Sequence, residues 1–497
     1  MTSTPDQNIA KDVQGDIVLR LPKTHEAFLF FSIEHADDFK RALRNGLIDR
    51  ITTTADVAAD EQKIARARAS LPGVFLDGIQ GLNVSFSSTG LNKLGVNVDE
   101  AFRADDVAFK AGQEADGTES LGDPMDVAGK LTTWKSEFKG RRIDGVFLLT
   151  ASNKVVLDGA AFRTLVHLGN SIRLIVRKDG VVRPGIERGH EHFGFLDGIT
   201  RPTIRGFNDS TRPEGESVAP PEVFLLRPDP KDENKKWTVN GSFLAFRELQ
   251  QEVPEFQRFT IEAAAESQPG QPVEPKLFAL IGARMVGRWK SGVPIVHSPV
   301  DEPQNVTPGD ILKPFDFSDD LEQVRCPYAA HIRKSHPRKG TFPEDRITTI
   351  DHLILRSGIA YGPEVTDEEK RVGETKEERG LLFVSYQASL EKGFQFIQKN
   401  WLNNVAFPFN NAARIAQPGH DLIVGQNEAA ESDQRTTQGI KPGRPEEQTN
   451  LVSAPPFVVP RGGEYFFTPS IPGLRHLANL STSTSAVEMI RKGLARL

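Results

Sequence analysis

The amino-acid sequence predicts an α+β fold in which a β-α-β-β-α-β unit occurs twice, with antiparallel sheets and peripheral helices. Three observations predict it. The chain has 497 residues, far more than one core needs. Its first half places strand and helix patterns in that order, and its second half replays the order with longer insertions.

In the first half, His25 to Ile33 (HEAFLFFSI) is a buried strand, and Ala36 to Ile48 sets Phe39, Leu43 and Leu47 at helical spacing. Leu82 to Phe86 alternates with period two. Gly145 to Thr150 (GVFLLT) is a third strand, Ala161 to Leu168 a helix and Ile172 to Val176 a fourth strand. This is the ferredoxin-like order. The second half offers Ser242 to Arg247 as strand, Pro254 to Ala265 as helix, His352 to Arg356 and Leu381 to Tyr386 as strands, and Leu390 to Leu402 as helix. The expected units are residues 12–155 and 165–497. Asn208 to Pro221, Glu364 to Arg379 and Gln426 to Asn450 are polar and charged or proline-rich, the composition of solvated surface loops.

Composition narrows the partners. A formal charge of -6 with dispersed Lys and Arg gives no field for a phosphate backbone, so nucleic acid is not expected. The single cysteine, Cys326, excludes an intramolecular disulfide and any multi-cysteine metal site. No apolar run is long enough to span a bilayer, and Met1 to Gly15 lacks a signal-peptide core. A cytoplasmic protein is therefore expected, or a secreted one if the numbering is that of a mature chain. Nothing in the pattern specifies an oligomer.

Three segments carry chemistry. In Arg325-Cys326-Pro327-Tyr328-Ala329-Ala330-His331-Ile332-Arg333-Lys334, an apolar setting presents one imidazole, which suits an axial iron ligand, though the segment by itself reads more readily as a satisfied core histidine. In Gly194-Phe195-Leu196-Asp197-Gly198, a carboxylate emerges from an apolar turn. It can shuttle a proton there, or bond its own backbone in an Asx turn. Arg356 closes the strand HLILR before Ser357-Gly358, as a fixed cation for a developing anion or as a structural ion pair. Cys326-Pro327 could ligate heme through thiolate, but no surrounding signature supports that, and packing is the expected task. A hydrolase built on Asp197 lacks a nucleophile elbow.

Taken together with Val13-Gln14-Gly15-Asp16-Ile17, Val286-Gly287-Arg288-Trp289-Lys290-Ser291-Gly292 and Arg379-Gly380-Leu381-Leu382-Phe383-Val384, these segments make the chain similar, over most of its length, to dye-decolorizing peroxidases of the long kind found in fungi and some bacteria. The resemblance implies heme b in the second of two ferredoxin-like domains. It places His331 at the axial iron ligand, Asp197 at the distal acid-base residue and Arg356 at the distal arginine, with Leu381 and Phe383 lining the distal pocket. Asp421 falls where a carboxylate partner of the ligand is kept. Tyr361 and Trp401 match surface aromatics that pass electrons from dyes too bulky for the pocket. Hydrogen peroxide and aromatic or dye donors are the implied substrates. A carboxylate cluster from the acidic loops, oxidising manganese, is a further expectation, and so is an acid pH optimum set by Asp197. The alternative from a different class is a heme-binding or iron-release protein of the same fold with little turnover.

Overall fold

A computed structural model describes residues 7–70, 78–208, 218–342, 349–411, 413–427, 435–442 and 452–481. Its strands are β1 (His25–Ile33), β2 (Gln80–Phe86), β3 (Gly145–Ala151), β4 (Ile172–Val181), β5 (Thr203–Ile204), β6 (Val218–Ala219), β7 (Ser242–Gln251), β8 (Leu355–Arg356), β9 (Ile359–Tyr361), β10 (Gly380–Gln387), β11 (Arg435–Thr437), β12 (Val452–Ala454) and β13 (Val458–Thr468). The first unit pairs in the order β4-β1-β3-β2 and the second in the order β13-β7-β10-β8, with β9 also on β10. Each is the ferredoxin-like order, and every ladder within the two units is antiparallel.

The two units share one sheet. Phe86 of β2 faces Phe467 of β13, and the Ser85 and Thr468 hydroxyls hydrogen-bond at 2.7 Å, so the exposed edge of each unit is closed by the other. Both faces of this sheet are covered. Along β1, Leu29 and Phe31 pack into one apolar cluster while Phe28 and Phe30 pack into another, which is why HEAFLFFSI carries no polar alternation. In β7, Phe243 and Ala245 face the first cluster, and Leu244 and Phe246 the second.

Several sequence expectations change in detail. The helix from Ala36 stops at Ala42 and continues as a wider turn over Leu43–Leu47, broken at Gly46 (φ 103°), although Phe39, Leu43 and Leu47 are all fully buried. Only Leu355 and Arg356 of His352 to Arg356 join the ladder. Thr349–His352 forms a 3₁₀ turn, because the His352 ring stacks on Phe396 at 3.8 Å. The helix expected from Leu390 begins only at Phe394, since Gly393 has non-helical backbone angles, and it widens into a π-helix over Ile397–Leu402. β4 pairs along its whole length with β1.

The loops also differ. Glu364 to Arg379 contains a capped helix, Asp367–Val372, and a fully buried Arg379–Glu369 ion pair at 2.7 Å, so it is built structure instead of solvated insertion. Gln426 to Asn450 contains β11, whose Arg435 is buried, while residues 428–434 and 443–450 lie outside the described residues, as do 209–217 of the first loop. β13 went unread in the sequence because Pro460 and Gly462 interrupt its alternation at a bulge. No helix of the described residues is long and apolar enough to cross a membrane.

Gly380 opens β10 where the sheet is tightest: a Cβ there would lie 1.9 Å from the Leu249 carbonyl oxygen of β7. Gly380→Ala should lower unfolding free energy by about 1–3 kcal/mol. Chemical denaturation measures this, and an unchanged midpoint would show that β7 and β10 yield freely.

Candidate active site

His331 begins a five-residue helix, His331–Ser335, too short to hold itself. Its neighbours anchor it. Arg333 is fully buried, donates to the Cys326 carbonyl at 2.6 Å and to Asp320 at 3.2 Å, and lies against the Tyr328 and Phe317 rings. Lys334, also fully buried, donates to the Asn404 and Gly419 carbonyls, and burial brings its pKa down to about 7 despite Asp421 nearby. Behind the helix, Gly287 ends Pro275–Val286 with φ 92°, where a Cβ would meet Ile332 at 2.4 Å. Only glycine permits both that turn and that approach.

The imidazole itself is fixed by Asp421. Nδ1 of His331 lies 2.6 Å from Asp421 Oδ2, while Asp421 Oδ1 accepts from the Ile423 and Val424 amides. Burial would raise the Asp421 carboxyl, but His331, the Ile423 amide and Lys334 outweigh it and hold the pKa below its ordinary value. With Nδ1 engaged, Nε2 is the ring nitrogen left for a ligand.

Asp197 is presented by a turn with Gly194 (φ 94°) and Gly198 (φ 75°). Glu191 sets that turn by accepting from the Phe193 and Phe195 amides at 2.9 and 2.8 Å. Asp197 Oδ1 accepts from the Gly198 amide at 2.6 Å and from Arg356 Nη1 at 2.8 Å, so the local turn bond and the ion pair both exist. Its side chain is 32 % exposed, because it faces a cavity. Burial would raise its pKa, but Arg356, the Gly198 amide and Arg20 bring it down to about 2. Arg356 is positioned through its neighbour: Ser357 donates to the buried carboxylate of Asp16, which also accepts from the Tyr386 hydroxyl and the Leu21 amide. The sequence reading missed this use of Asp16 and that of Glu191; for Asp16 the available signal was an acid beside glycine in Val13-Gln14-Gly15-Asp16-Ile17, and Glu191, between two histidines, carried none.

His331, Asp197, Arg356, Leu381 and Phe383 line one cavity of about 260 Å³, walled elsewhere by apolar side chains including Phe195, Leu249 and Ile423. Leu381 and Phe383, two residues apart on β10, face it together. His336, Arg288 and Arg338 also line it. Among the described residues, no group of three or more His, Cys, Asp or Glu side chains could hold a metal ion.

Comparison with known proteins gives concordant matches. Residues 12–184 match the family described as DyP dimeric alpha+beta barrel domain, and residues 284–407 the family Dyp-type peroxidase, C-terminal. The chain is 38% identical over 492 residues to the dye-decolorizing peroxidase of Mycena epipterygia, covering 94% of this chain and 86% of that one. The chain belongs to the dye-decolorizing peroxidase family. A multifunctional dye peroxidase of Amycolatopsis is 30% identical, with 80% and 82% of the two chains covered. Among solved structures, an ancestral D-type dye-decolorizing peroxidase superposes with a TM-score of 0.85 at 40% identity, covering 95% of this chain and 99% of that one. A dye-decolorizing peroxidase in complex with 2,6-dimethoxyphenol gives 0.80 at 37% identity, with 94% and 99% covered.

Family membership implies a heme cofactor, and the cavity fits one. It combines an imidazole with one nitrogen committed, apolar walls, and Arg288 and Arg338 to meet carboxylates. Two other dye-decolorizing peroxidase expectations need adjustment here. Trp401 is 3 % exposed, packed on Phe407 and against His352 and Phe396, and lines the cavity; it is not at the surface, because the π-helix turns its ring inward. Tyr361 is half-buried, with its hydroxyl donating to Glu378 at 3.2 Å. Cys326 is fully buried, and burial pushes its thiol up to about 12, against a thiolate role.

Asp421→Asn should weaken heme binding by about 10- to 100-fold, the usual effect of removing a histidine's carboxylate partner. Titration of the apoprotein with hemin, followed by Soret absorbance, measures it; unchanged affinity would show that the Asp421–His331 pair does not hold the heme.

Proposed function

We propose that this protein is a heme b peroxidase that uses hydrogen peroxide to oxidise phenolic and other aromatic donors, dyes among them, by one-electron steps. The observation that carries the reading is the convergence on one cavity of a carboxylate-held imidazole and a carboxylate paired with an arginine. A passive heme carrier has no use for an ionised acid beside a fixed cation. One peroxide takes two electrons and two protons from two phenolic donors and leaves as two waters, each donor becoming a phenoxyl radical.

When bound, the heme supplies the iron that accepts peroxide and holds oxidising equivalents. His331 would hold that iron through Nε2, and Arg288, Arg338 and His336 would face its carboxylates. Asp197, ionised at any pH well above about 2, takes the proton from the nearer peroxide oxygen and delivers it to the farther one. Arg356 stabilises the anion that develops as the bond breaks. Leu381 and Phe383 keep the pocket small, so bulky dyes react elsewhere. Tyr361 is the relay we assign: Glu378, held ionised by Lys135 against the effect of burial, accepts the Tyr361 hydroxyl hydrogen bond and can take the proton as an electron leaves the ring.

Stopped-flow mixing of the holoprotein with one equivalent of peroxide tests the assignment. Asp197→Asn should slow the Soret change by about 10²- to 10⁴-fold, and equal rates in native and variant proteins would sink it. The pH dependence has a definite sign. The Asp197 carboxyl is lowered from 3.8 to about 2, so the native rate should hold through mildly acid pH and fall only as pH drops through that value. Arg356→Leu removes the main lowering partner, so its acid limb should lie at higher pH than the native one.

A further inference from the structure

A second chamber, of about 600 Å³, opens on the far side of the Asp197 turn. Asp197, Gly198 and Leu381 border both it and the heme cavity. Its walls carry six cationic side chains, Arg20, Lys23, Arg68, Arg183, Arg188 and Arg201, against three carboxylates, in a chain whose formal charge is -6. The cations are not equivalent. Lys23 is paired with Glu26 at 2.6 Å, Arg183 with Glu364, and Arg201 donates to the Leu19 and Val18 carbonyls. Arg20 and Arg68 have no hydrogen bond or ion pair among the described residues.

Arg20 is held in an unusual way. Its backbone is left-handed, φ 68°, a conformation that side-chain-bearing residues avoid. The chain on either side enforces it: Arg201 grips the Val18 and Leu19 carbonyls, and Asp16 accepts from the Leu21 amide at 3.0 Å. The result lays the guanidinium against Gly198, where a Cβ would lie 3.2 Å from Arg20 Nη1. A strained cation with no ion pair among the described residues is thus aimed at the boundary between chamber and reaction site, where its charge acts on Asp197. Beside it, Leu21, Pro22, Ile64, Ile359 and Leu381 offer an apolar wall.

We infer that this chamber binds anionic aromatic donors, single-ring phenols bearing a carboxylate or sulfonate, with Arg20 and Arg68 taking the charge and the apolar wall taking the ring. An inorganic anion would leave that wall unused, and a neutral phenol would leave the two arginines unpaired. The volume lies within the roughly 300–1,000 Å³ of small-molecule pockets. The word donor rests on the peroxidase reading above; the anion site does not.

Two measurements on the full-length holoprotein separate them. Calorimetric titration with benzenesulfonate, and with benzamide as the neutral control, should show binding of the anion alone. Arg20→Asn, which suits a left-handed backbone, and Arg68→Gln, on an exposed helix face, should each weaken it, as should raising ionic strength from about 0.01 M to about 0.15 M. In turnover, syringate differs from 2,6-dimethoxyphenol by one carboxylate; the ratio of their kcat/KM values should fall about tenfold in each variant. Peroxide turnover with no benzenesulfonate binding, or with a ratio that ignores both arginines, overturns the inference and leaves the peroxidase standing. Arginine-dependent benzenesulfonate binding without turnover of either phenol keeps the site and removes the peroxidase.

Discussion

The clamp on His331 is the constraint on which the site depends. A five-residue helix has no stability of its own, and an imidazole facing a cavity gains nothing from burial. Its orientation is therefore imposed from outside: Asp421 fixes the ring, while Arg333 and Lys334, adjacent in sequence, lead into separate carbonyl sets. These are buried cations, costly to desolvate, and each is compensated by several acceptors or aromatic faces. Removing one partner would strand the other, so the helix has one arrangement.

The pair of Asp197 and Arg356 follows the same logic with the charges closer to solvent. Asp16 and Ser357 lie outside the cavity and Glu191 at its wall, and together they fix the backbone from which Asp197 and Arg356 project. Arg356 lies at the end of a two-residue strand at the sheet's edge, where side chains leave the ladder and can point into a cavity. The sheet, covered on both faces and closed between β2 and β13, is the rigid frame for both. Pairing with Arg356 also lowers the Asp197 pKa against the effect of burial, which favours the ionised carboxylate.

Much of this was legible in the chain. The strands of the first unit were readable because their apolar runs are long, and the motifs around His331, Asp197 and Arg356 marked the chemistry. What stayed hidden has specific causes. β13 carries a proline and a bulge glycine, so its alternation is broken. Trp401 was expected at the surface only from its match to the family's surface aromatics, and the π-turn that carries it buries the ring instead. The Glu364 to Arg379 segment is charge-rich, yet Glu369 and Arg379 cancel each other inside the protein.

By itself the sequence determined the doubled αβ order, the absence of disulfides, and which residue types stand ready for heme and peroxide, since these follow from local pattern and composition. Only the tertiary structure decided that Asp421 meets His331 across 90 positions, that Asp197 meets Arg356 across 159, and that Arg20 turns its charge toward Gly198. Those outcomes depend on long-range packing of loops whose length and path leave no period in the chain, so the energy of the folded whole, not local preference, selects them.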